Sequence, residues 1–362
     1  MKHEQIFRPE QPDRDNRFTP QGDVGKRLLE RLDGANIMIT GGTGSFGNAL
    51  AARLLTYANP ARVVIMSRDE HKQYEMQIKP EFANHPALRF FIGDVRDQSR
   101  LELAMRDVDY VVHAAALKQI PAAEYNPFEC IHTNVLGAQN VVHAAIHAGV
   151  KRVIALSTDK AANPLNLYGA SKLASDKIFV AGNHLSGSAK TRFSVVRYGN
   201  VVGSRGSVIP FFRKLVEEGA DSLPITDERM TRFWITLSQG VDFVLSCLEI
   251  MHGGEIFVPK IPSMRVMDIA KAVAPNKPHR VVGIRPGEKL HEMMITEDDA
   301  RHTIEMPDRY VIEPAFNWWS REPYMDRNFK PVPEGFQYSS DSNDEWIDEA
   351  GLAGMLMDCA PA

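Results

Sequence analysis

Two pairs of proton-handling side chains lie close together near the middle of the chain. Asp159 and Lys160 are adjacent, and Tyr168 and Lys172 follow, four positions apart. On a helix this spacing puts both side chains on one face, so the ammonium of Lys172 is expected beside the phenol of Tyr168. A neighbouring positive charge lowers the pKa of a tyrosine toward neutrality, which makes the phenolate a usable base. The pair therefore predicts oxidation of an alcohol.

The spacing of Tyr168 and Lys172 fixes only two positions and also arises by chance. The residues around the pair must therefore support the interpretation. Residues 152–157, RVIALS, form an apolar run typical of a buried strand, and Thr158, Asp159 and Lys160 follow it directly. Ligands of α/β proteins bind at the carboxyl ends of parallel strands. We therefore interpret Asp159 and Lys160 as a second acid/base pair. An ordinary surface lysine is the alternative for Lys160.

A glycine-rich loop follows the first apolar run of the chain. Residues 40–47, TGGTGSFG, stand between that run and a helical pattern. Glycines let the backbone turn tightly and approach a pyrophosphate, whose charge is stabilised by the amide groups at the helix start. A flexible loop without a ligand is the alternative. The loop predicts a dinucleotide site that includes Gly41, Thr43, Gly44, Ser45, Phe46 and Gly47.

The segment after the second apolar run indicates which dinucleotide is bound. Where a carboxylate usually contacts a ribose hydroxyl, this chain has Ser67 and Arg68, with Lys72 in support. The planar fork of an arginine matches a 2′-phosphate, so we predict NADP as the cofactor. The alternative is an exposed charged turn in which Asp69 serves NAD. Further cofactor contacts are predicted at the ends of the third and fourth runs, at Asp94, Val95, Ala114 and Ala115. Core packing is the alternative for the alanines.

Short apolar runs alternate with helical stretches over the amino-terminal part of the chain. This rhythm predicts the α/β class, with a Rossmann-like, doubly wound parallel sheet joined by right-handed crossovers. The runs lie at residues 36–40, 62–66, 88–92, 110–113, 152–156 and 193–197.

The rhythm breaks near residue 204, where prolines begin to separate shorter segments. This change indicates a smaller substrate-binding portion that closes over the edge of the sheet. We expect four regions: an amino-terminal arm with a short helix (1–33), an NADP-binding Rossmann domain (34–203), the substrate-binding portion (204–313) and a carboxyl-terminal extension (314–362). Helices are predicted at residues 24–32 and 345–356.

The composition excludes several classes of function. A net charge of −4, with 44% apolar and 24% charged residues, gives no electrostatic reason to expect a nucleic acid or a membrane surface as partner. Cys130, Cys247 and Cys359 lack metal-ligand spacing and cannot all pair within one chain, so we expect no metal and a reducing compartment, the cytoplasm. The polar amino terminus is not typical of a signal peptide. We expect a homo-oligomer.

These motifs, taken in order, resemble the extended short-chain dehydrogenase/reductase superfamily. The landmarks are TGGTGSFG at 40–47, HAAA at 113–116, NVLG at 134–137, and Tyr168 with Lys172. Within that superfamily, STDKAANPLNLYGASK at 157–172 resembles the C5-inverting UDP-N-acetylglucosamine 4,6-dehydratases of pseudaminic acid biosynthesis. Further blocks match at 67–70 (SRDE), 115–121 (AALKQIP), 197–207 (RYGNVVGSRGS), 227–235 (DERMTRFWI) and 283–292 (GIRPGEKLHE).

The resemblance implies a redox-neutral reaction on UDP-N-acetylglucosamine. Carbon 4 is oxidised, water is eliminated across carbons 5 and 6, and a hydride returns to carbon 6. Tyr168 would take the 4-hydroxyl proton, Lys172 would hold the nicotinamide ribose, and Thr158 would steady the 4-oxygen. Lys160 would be the base at carbon 5 and Asp159 the acid for the departing 6-hydroxyl. A lysine base must be neutral, so we expect burial near Lys172 to lower the pKa of Lys160.

The later motifs supply candidates for holding the nucleotide sugar in the portion 204–313. The planar fork of arginine matches phosphate oxygens, although any single arginine can equally be structural. The candidates, with two residues that flank the sugar in the superfamily, are Lys118, Asn134, Asn200, Arg205, Arg229, Arg232, Arg285 and Glu288.

Three other functions fit parts of the sequence. A nucleotide-sugar epimerase would use Tyr168 and Lys172 without needing Asp159 and Lys160. A retaining 4,6-dehydratase is closer; those acting on dTDP-glucose carry Asp-Glu where this chain has Asp159 and Lys160. An NADP-sensing protein without catalysis would be expected to lose Tyr168 or Lys172, and this chain keeps both.

Overall fold

A computed structural model describes residues 16–204, 206–316, 318, 324 and 329–357 of the chain. Most of the predicted amino-terminal arm, the candidate Arg205 and the last residues of the carboxyl-terminal extension lie outside the described residues.

The described residues form seventeen strands. In chain order they are β1 (Asn36–Thr40), β2 (Arg62–Ser67), β3 (Leu88–Ile92), β4 (Tyr110–His113), β5 (Arg152–Thr158), β6 (Arg192–Tyr198), β7 (Asn200–Val201), β8 (Leu223–Ile225), β9 (Thr231–Ile235), β10 (Ile256–Pro259), β11 (Ser263–Arg265), β12 (His279–Val281), β13 (Met293–Ile295), β14 (Thr303–Glu305), β15 (Arg309–Ile312), β16 (Lys330–Pro331) and β17 (Tyr338–Ser339). Each of the six predicted apolar runs is confirmed as a strand.

The helices lie mainly between the strands. In chain order they are α1 (Gly22–Leu32), α2 (Ser45–Tyr57), α3 (Glu70–Gln77), α4 (Gln98–Ala104), α5 (Ile120–Tyr125), α6 (Pro127–Ile131), α7 (Gly137–Ala148), α8 (Leu167–Leu185), α9 (Val208–Glu217), α10 (Leu237–Ile250), α11 (Val266–Val273), α12 (Glu297–Ala300) and α13 (Glu349–Met357). Short 3-10 turns occur at Asp159–Ala161 and Gly187–Ala189, and His132–Leu136 is π-helical. The two helices predicted near the termini correspond to α1 and α13. None of the described helices is long and apolar enough to cross a membrane.

The central sheet has the doubly wound arrangement that the sequence predicts. Strands β3, β2, β1, β4, β5 and β6 lie side by side in that order, and all are parallel. The order reverses between β1 and β4, which creates a crevice at their carboxyl ends. Residues at the middle of β1, such as Met38 and Ile39, are fully buried, because helices cover both faces of the sheet. The predicted fold class is therefore confirmed.

The chain returns to this sheet after residue 204. Strand β10 pairs in parallel with β6, and β15, β14 and β16 continue the sheet in antiparallel fashion. Strands β7, β9 and β11 form a separate small sheet, and β8 pairs with β12. Residues 204–313 therefore contribute both to the central sheet and to the smaller lobe beside the crevice.

The described part of the amino-terminal segment is packed against α10. Asn16 Nδ2 and Thr19 Oγ1 donate hydrogen bonds to Asp242 Oδ2 at 2.9 and 2.7 Å. Phe18 is 2% exposed, and its ring meets that of Phe243 edge to face at a centroid distance of 5.1 Å. Phe18 is thus part of the core, together with Leu28 and Leu32 of α1.

We predict that Phe18→Ala lowers the free energy of unfolding by about 3 kcal/mol, because it removes a buried ring and leaves a cavity against Phe243. Chemical denaturation of the purified variants measures this. The matched control is Phe128→Ala, since Phe128 is 77% exposed. Equal losses in the two variants would show that the amino-terminal segment does not contribute to the core.

Candidate active site

A cleft of about 1100 Å³ opens where the carboxyl ends of β1, β4 and β5 meet the smaller lobe. This volume exceeds the range of about 300–1,000 Å³ typical of a site for one drug-sized ligand. The cleft runs from the glycine loop, past the end of β5, to the segment around Arg285. Its length and shape suit a dinucleotide and a second, sugar-sized ligand placed end to end.

The glycine loop joins β1 to α2 and lines one end of the cleft. Gly41 has φ +65°, and a Cβ at this position would lie 2.8 Å from the backbone of Ala115. A Cβ at Gly47 would lie 2.3 Å from the carbonyl oxygen of Gly42. No side chain caps the amino end of α2 at Gly44, so its first amide groups stay available to an anion. The loop therefore fits a pyrophosphate, and all six residues predicted for it line the cleft: Gly41, Thr43, Gly44, Ser45, Phe46 and Gly47.

The segment after β2 forms the next part of the wall. The carboxylate of Asp69 caps α3 by accepting from the backbone amide of Lys72 at 3.1 Å, and it pairs with Lys72 Nζ at 3.0 Å. These hydrogen bonds lower the pKa of Asp69. Arg68 is half exposed, and its Nη1 lies 3.5 Å from Asp94 Oδ2. The remaining predicted cofactor residues also line the cleft: Ser67, Arg68, Lys72, Asp94, Val95, Ala114 and Ala115.

Helix α8 carries the predicted tyrosine and lysine. Asn166 caps its first turn by accepting from the amide of Gly169 at 2.8 Å. Lys172 is 4% exposed, and its ammonium donates to the carbonyl oxygen of Leu156 at 2.7 Å. Both Tyr168 and Lys172 line the cleft. The helix thus brings the pair to the end of β5, as its spacing predicts.

The pKa of Tyr168 does not follow the expectation from its spacing to Lys172. Burial raises the pKa of Tyr168 to about 12, and the charge of Lys160 and a hydrogen bond with Thr158 offset this only in part. The prediction that Lys172 lowers this pKa toward neutrality is therefore wrong for the protein without ligands. The physical reason is that the Lys172 ammonium is directed at a backbone carbonyl, so loss of water around the phenol dominates.

The adjacent pair lies in the 3-10 turn after β5. Lys160 Nζ is 3.0 Å from Asp159 Oδ1 and 3.3 Å from Glu292 Oε1. Burial lowers the pKa of Lys160, but the two carboxylates outweigh it, so the pKa is raised overall. The prediction that burial near Lys172 lowers this pKa is wrong, because the spacing along the chain gave no sign of the second carboxylate. At neutral pH the resting side chain is an ammonium.

Glu292 is the residue of this cluster that the sequence analysis missed. It lines the cleft, is 2% exposed and comes directly before β13. A signal was present, since Glu292 ends the GIRPGEKLHE block at 283–292. A block match does not say which side chain turns toward Lys160, because that contact spans two distant parts of the chain.

The structure separates the eight predicted sugar-binding residues into four groups, of which the last is Asn134 alone. Lys118, Asn200, Arg232, Arg285 and Glu288 line the cleft. Arg229 is outside that lining, because its guanidinium forms a two-pronged pair with Asp227 on the surface. Arg205 lies outside the described residues.

Asn134 is buried behind the cleft and acts as a brace. Its side chain accepts from the amide of Leu117 at 2.8 Å and donates to the carbonyl oxygen of Leu117 at 2.9 Å. It also donates to Ser171 Oγ at 2.9 Å. Asn134 thereby ties the segment after β4 to helix α8, next to Lys172.

Comparison with known proteins places this chain in a family. Residues 37–314 match the family described as polysaccharide biosynthesis protein. The chain is 56% identical over 330 residues to UDP-N-acetylglucosamine 4,6-dehydratase (inverting) of Campylobacter jejuni subsp. jejuni serotype O:23/36 (strain 81-176), which covers 90% of this chain and 98% of the relative. The chain belongs to this polysaccharide biosynthesis protein family. The resemblance to inverting dehydratases expected from the sequence is confirmed.

Other relatives and solved structures widen the comparison. UDP-glucose 4-epimerase of Rickettsia bellii (strain OSU 85-389) is 44% identical over 284 residues, covering 76% of this chain and 82% of the relative. The X-ray structure of Pen from Bacillus thuringiensis has a TM-score of 0.81 and 35% identity, covering 90% and 98% of the two chains. DesIV, a dTDP-glucose 4,6-dehydratase of Streptomyces venezuelae solved with NAD and TYD, has a TM-score of 0.63 at 24% identity, covering 70% of this chain and 86% of DesIV, which shows the shared fold alone.

Proposed function

We propose that this protein is a UDP-N-acetylglucosamine 4,6-dehydratase that inverts carbon 5 and uses NADP in a redox-neutral cycle. The observation that carries the proposal is that Lys160, Tyr168 and Lys172 line one cleft with a dinucleotide cradle, while Asp159, which is fully buried, lies 3.0 Å from Lys160 Nζ. The relatives named as inverting dehydratases at 56% and 58% identity support it.

The bound nicotinamide would supply reversible oxidation and reduction of the sugar. The glycine loop and the amino end of α2 would hold its pyrophosphate, and Lys172 its ribose. Arg68 is the group suited to a 2′-phosphate, because Asp69 is engaged in capping α3 and in pairing with Lys72. This arrangement favours NADP over NAD.

Tyr168 would accept the proton of the 4-hydroxyl as the phenolate. Because burial raises its pKa to about 12, the phenol first loses its own proton to solvent. Its phenol is buried, and the charge of Lys160 and the hydrogen bond with Thr158 are the two groups that favour its phenolate most strongly. Thr158 Oγ1 also donates to Asp159 Oδ1 at 2.9 Å, so it links the tyrosine to the acid/base pair. Thr158 thereby connects, through hydrogen bonds, the group proposed for oxidation with the pair proposed for elimination.

Asp159 and Lys160 would carry out the elimination. The resting ammonium first passes a proton to Asp159 across 3.0 Å, which leaves a neutral amine and a neutral carboxylic acid. Lys160 then takes the proton from carbon 5 while Asp159 gives its proton to the 6-hydroxyl, which departs as water. The pair returns to ammonium and carboxylate. As carbon 6 is reduced, Lys160 gives its proton back at carbon 5. The proton that Tyr168 took from the 4-hydroxyl then passes to Lys160, which restores the phenolate and the ammonium for the next cycle.

We further propose a cytoplasmic homo-oligomer. Cys130 and Cys247 are both free and buried, in keeping with a reducing compartment. Cys359 lies outside the described residues.

The direct test is NMR of the product formed from UDP-N-acetylglucosamine in deuterated water without added reductant. We expect a 4-keto sugar with a methyl group at carbon 6 and with deuterium and inverted configuration at carbon 5. An epimerase is the second candidate, favoured by the Rickettsia relatives. A product that keeps its 6-hydroxyl would establish the epimerase, and a labelled product with unchanged configuration would establish a retaining dehydratase.

We predict that Arg68→Ala weakens NADP binding by about 1.5 kcal/mol, roughly tenfold, and leaves NAD binding almost unchanged. The value is at the lower end for a charged hydrogen bond because Arg68 is half exposed. Titration of both cofactors measures it, with Arg89→Ala as control, since Arg89 is absent from the cleft lining. Equal losses for NADP and NAD would count against a 2′-phosphate at Arg68.

We predict that Lys160→Ala and Asp159→Asn slow dehydration by about 10²- to 10⁴-fold but leave oxidation at carbon 4 partly intact, because elimination and oxidation use different groups. Product NMR measures dehydration, and absorbance of reduced nicotinamide after mixing enzyme with substrate measures oxidation. Tyr168→Phe is the contrasting variant and should lose both. Dehydration within about tenfold of the parent in Lys160→Ala, roughly 1.4 kcal/mol of barrier, would show that another group removes the carbon 5 proton.

A further inference from the structure

Glu292 is a buried carboxylate to which the reaction proposed above gives no role. Its Oε1 lies 3.3 Å from Lys160 Nζ, inside the cleft. Its Oε2 is buried without a hydrogen-bond partner among the described residues, and Lys289 Nζ lies 3.8 Å from it. A buried carboxylate is costly unless it is paired, so its position beside Lys160 calls for an explanation.

The backbone of Glu292 is fixed by the carboxyl-terminal part of the chain. Its amide donates to Ser340 Oγ at 2.9 Å, and the amide of Ser340 donates to its carbonyl oxygen at 2.8 Å. Pairing of β13 with β17 continues this contact. The Glu292 carboxylate therefore extends into the cleft from a strand end whose backbone is held by hydrogen bonds.

The preceding segment is also anchored to the catalytic elements. Asn166, the capping residue of α8, donates to the carbonyl oxygen of Gly287 at 2.8 Å. Lys289 Nζ donates to the carbonyl oxygen of Ala162, just after the 3-10 turn, at 2.6 Å. These two contacts keep Glu292 in register with both Tyr168 on α8 and Lys160 in the turn.

Charged groups of both signs surround the Lys160 ammonium. Two carboxylates stabilise it and the neighbouring cations oppose it, with a buried phenol alongside. The groups are Asp159 in the same turn, Glu292 before β13, Arg232 on β9, Lys289 in the 283–292 segment and Tyr168 on α8. Without the charge of Glu292, the Lys160 ammonium would be surrounded by one carboxylate, Asp159, and two cations, Arg232 and Lys289.

We propose that Glu292 is a positioning residue for Lys160, which holds the amino group beside Asp159 and directs it into the cleft through each change of protonation. The inference rests on the proposed function, because there Lys160 is the base at carbon 5. When Lys160 passes a proton to Asp159, and when it takes the proton of carbon 5, Glu292 takes no part in either proton transfer. It therefore fixes the nitrogen in place while the proton moves between the other groups.

The first test measures Lys160 itself and needs no turnover. The rate at which an amine-reactive acylating reagent labels Lys160 at a fixed alkaline pH, read by mass spectrometry, reports the fraction of neutral amine. In Glu292→Gln the ammonium loses a carboxylate, so its pKa falls, and one unit corresponds to roughly tenfold faster labelling. In Glu292→Asp, which keeps the charge, labelling should stay within about threefold of the parent.

The control is Glu249→Gln, another buried carboxylate, which pairs with arginines of α1 instead. It should leave Lys160 labelling at the parent rate. Parent-like labelling in Glu292→Gln, or equal acceleration in Glu249→Gln, would overturn the proposal. This readout stays valid if the product test contradicts the dehydratase function, so failure of the two ideas can be distinguished.

The second test is the dehydration assay as a function of pH. The alkaline limb of kcat reports the pH at which Lys160 loses to solvent the proton that it must pass to Asp159, so in Glu292→Gln this limb should move to lower pH by about one unit. The limiting kcat should fall about tenfold, with KM within about threefold, because orientation and not substrate binding is lost. Glu292→Asp should keep the limb and lower kcat. An unmoved limb in Glu292→Gln would assign Glu292 a structural role only.

Discussion

The ammonium of Lys160 between two buried carboxylates is the interaction on which the rest of the active site depends. Asp159 is fully buried and Glu292 is 2% exposed. Removing a single carboxylate from water costs several kcal/mol unless a cation lies close to it. Lys160 supplies that cation to both, with Arg232 and Lys289 further out. Asp159 and Glu292 therefore depend on the same Lys160 ammonium to compensate their charge.

The surrounding elements bring the members of this group together. Strand β5 ends in the turn that carries Asp159 and Lys160, and the capped start of α8 follows within the same stretch of chain. Glu292 arrives from the far side, held by the pairing of β13 with β17. Residues after 204 thus complete this charged group as well as the wall of the cleft.

Features determined by local sequence could be predicted, and those set by distant contacts could not. The six apolar runs became strands because each is a continuous buried segment, and the glycine loop is visible in its own residues. The four-residue spacing correctly put Tyr168 and Lys172 on one helix face. It could not reveal that the Lys172 ammonium points to Leu156, so the direction of the Tyr168 pKa was wrong.

The same limit explains the error at Lys160. Its partner Glu292 lies in a block far along the chain, and only the folded arrangement puts the two 3.3 Å apart. The extension of the central sheet by β10, β15, β14 and β16 was missed for a related reason. Strands β10 and β15 contain short apolar runs, IFVP and YVI, but the pairing of these strands, and that of β14 and β16, depends on the finished sheet.

The coupling between Tyr168 and Lys160 gives the proposed reaction a natural order. While Lys160 is an ammonium, its charge favours the phenolate of Tyr168, the form that can accept the 4-hydroxyl proton. Once Tyr168 has gained that proton it is neutral, and the ammonium loses a stabilising negative charge. Lys160 then gives up its own proton to Asp159 more readily, at the stage when a base is needed at carbon 5. Glu292 keeps the amine in place through this change. The loss of negative charge at Tyr168 during oxidation thus makes it easier for Lys160 to become the base that elimination needs.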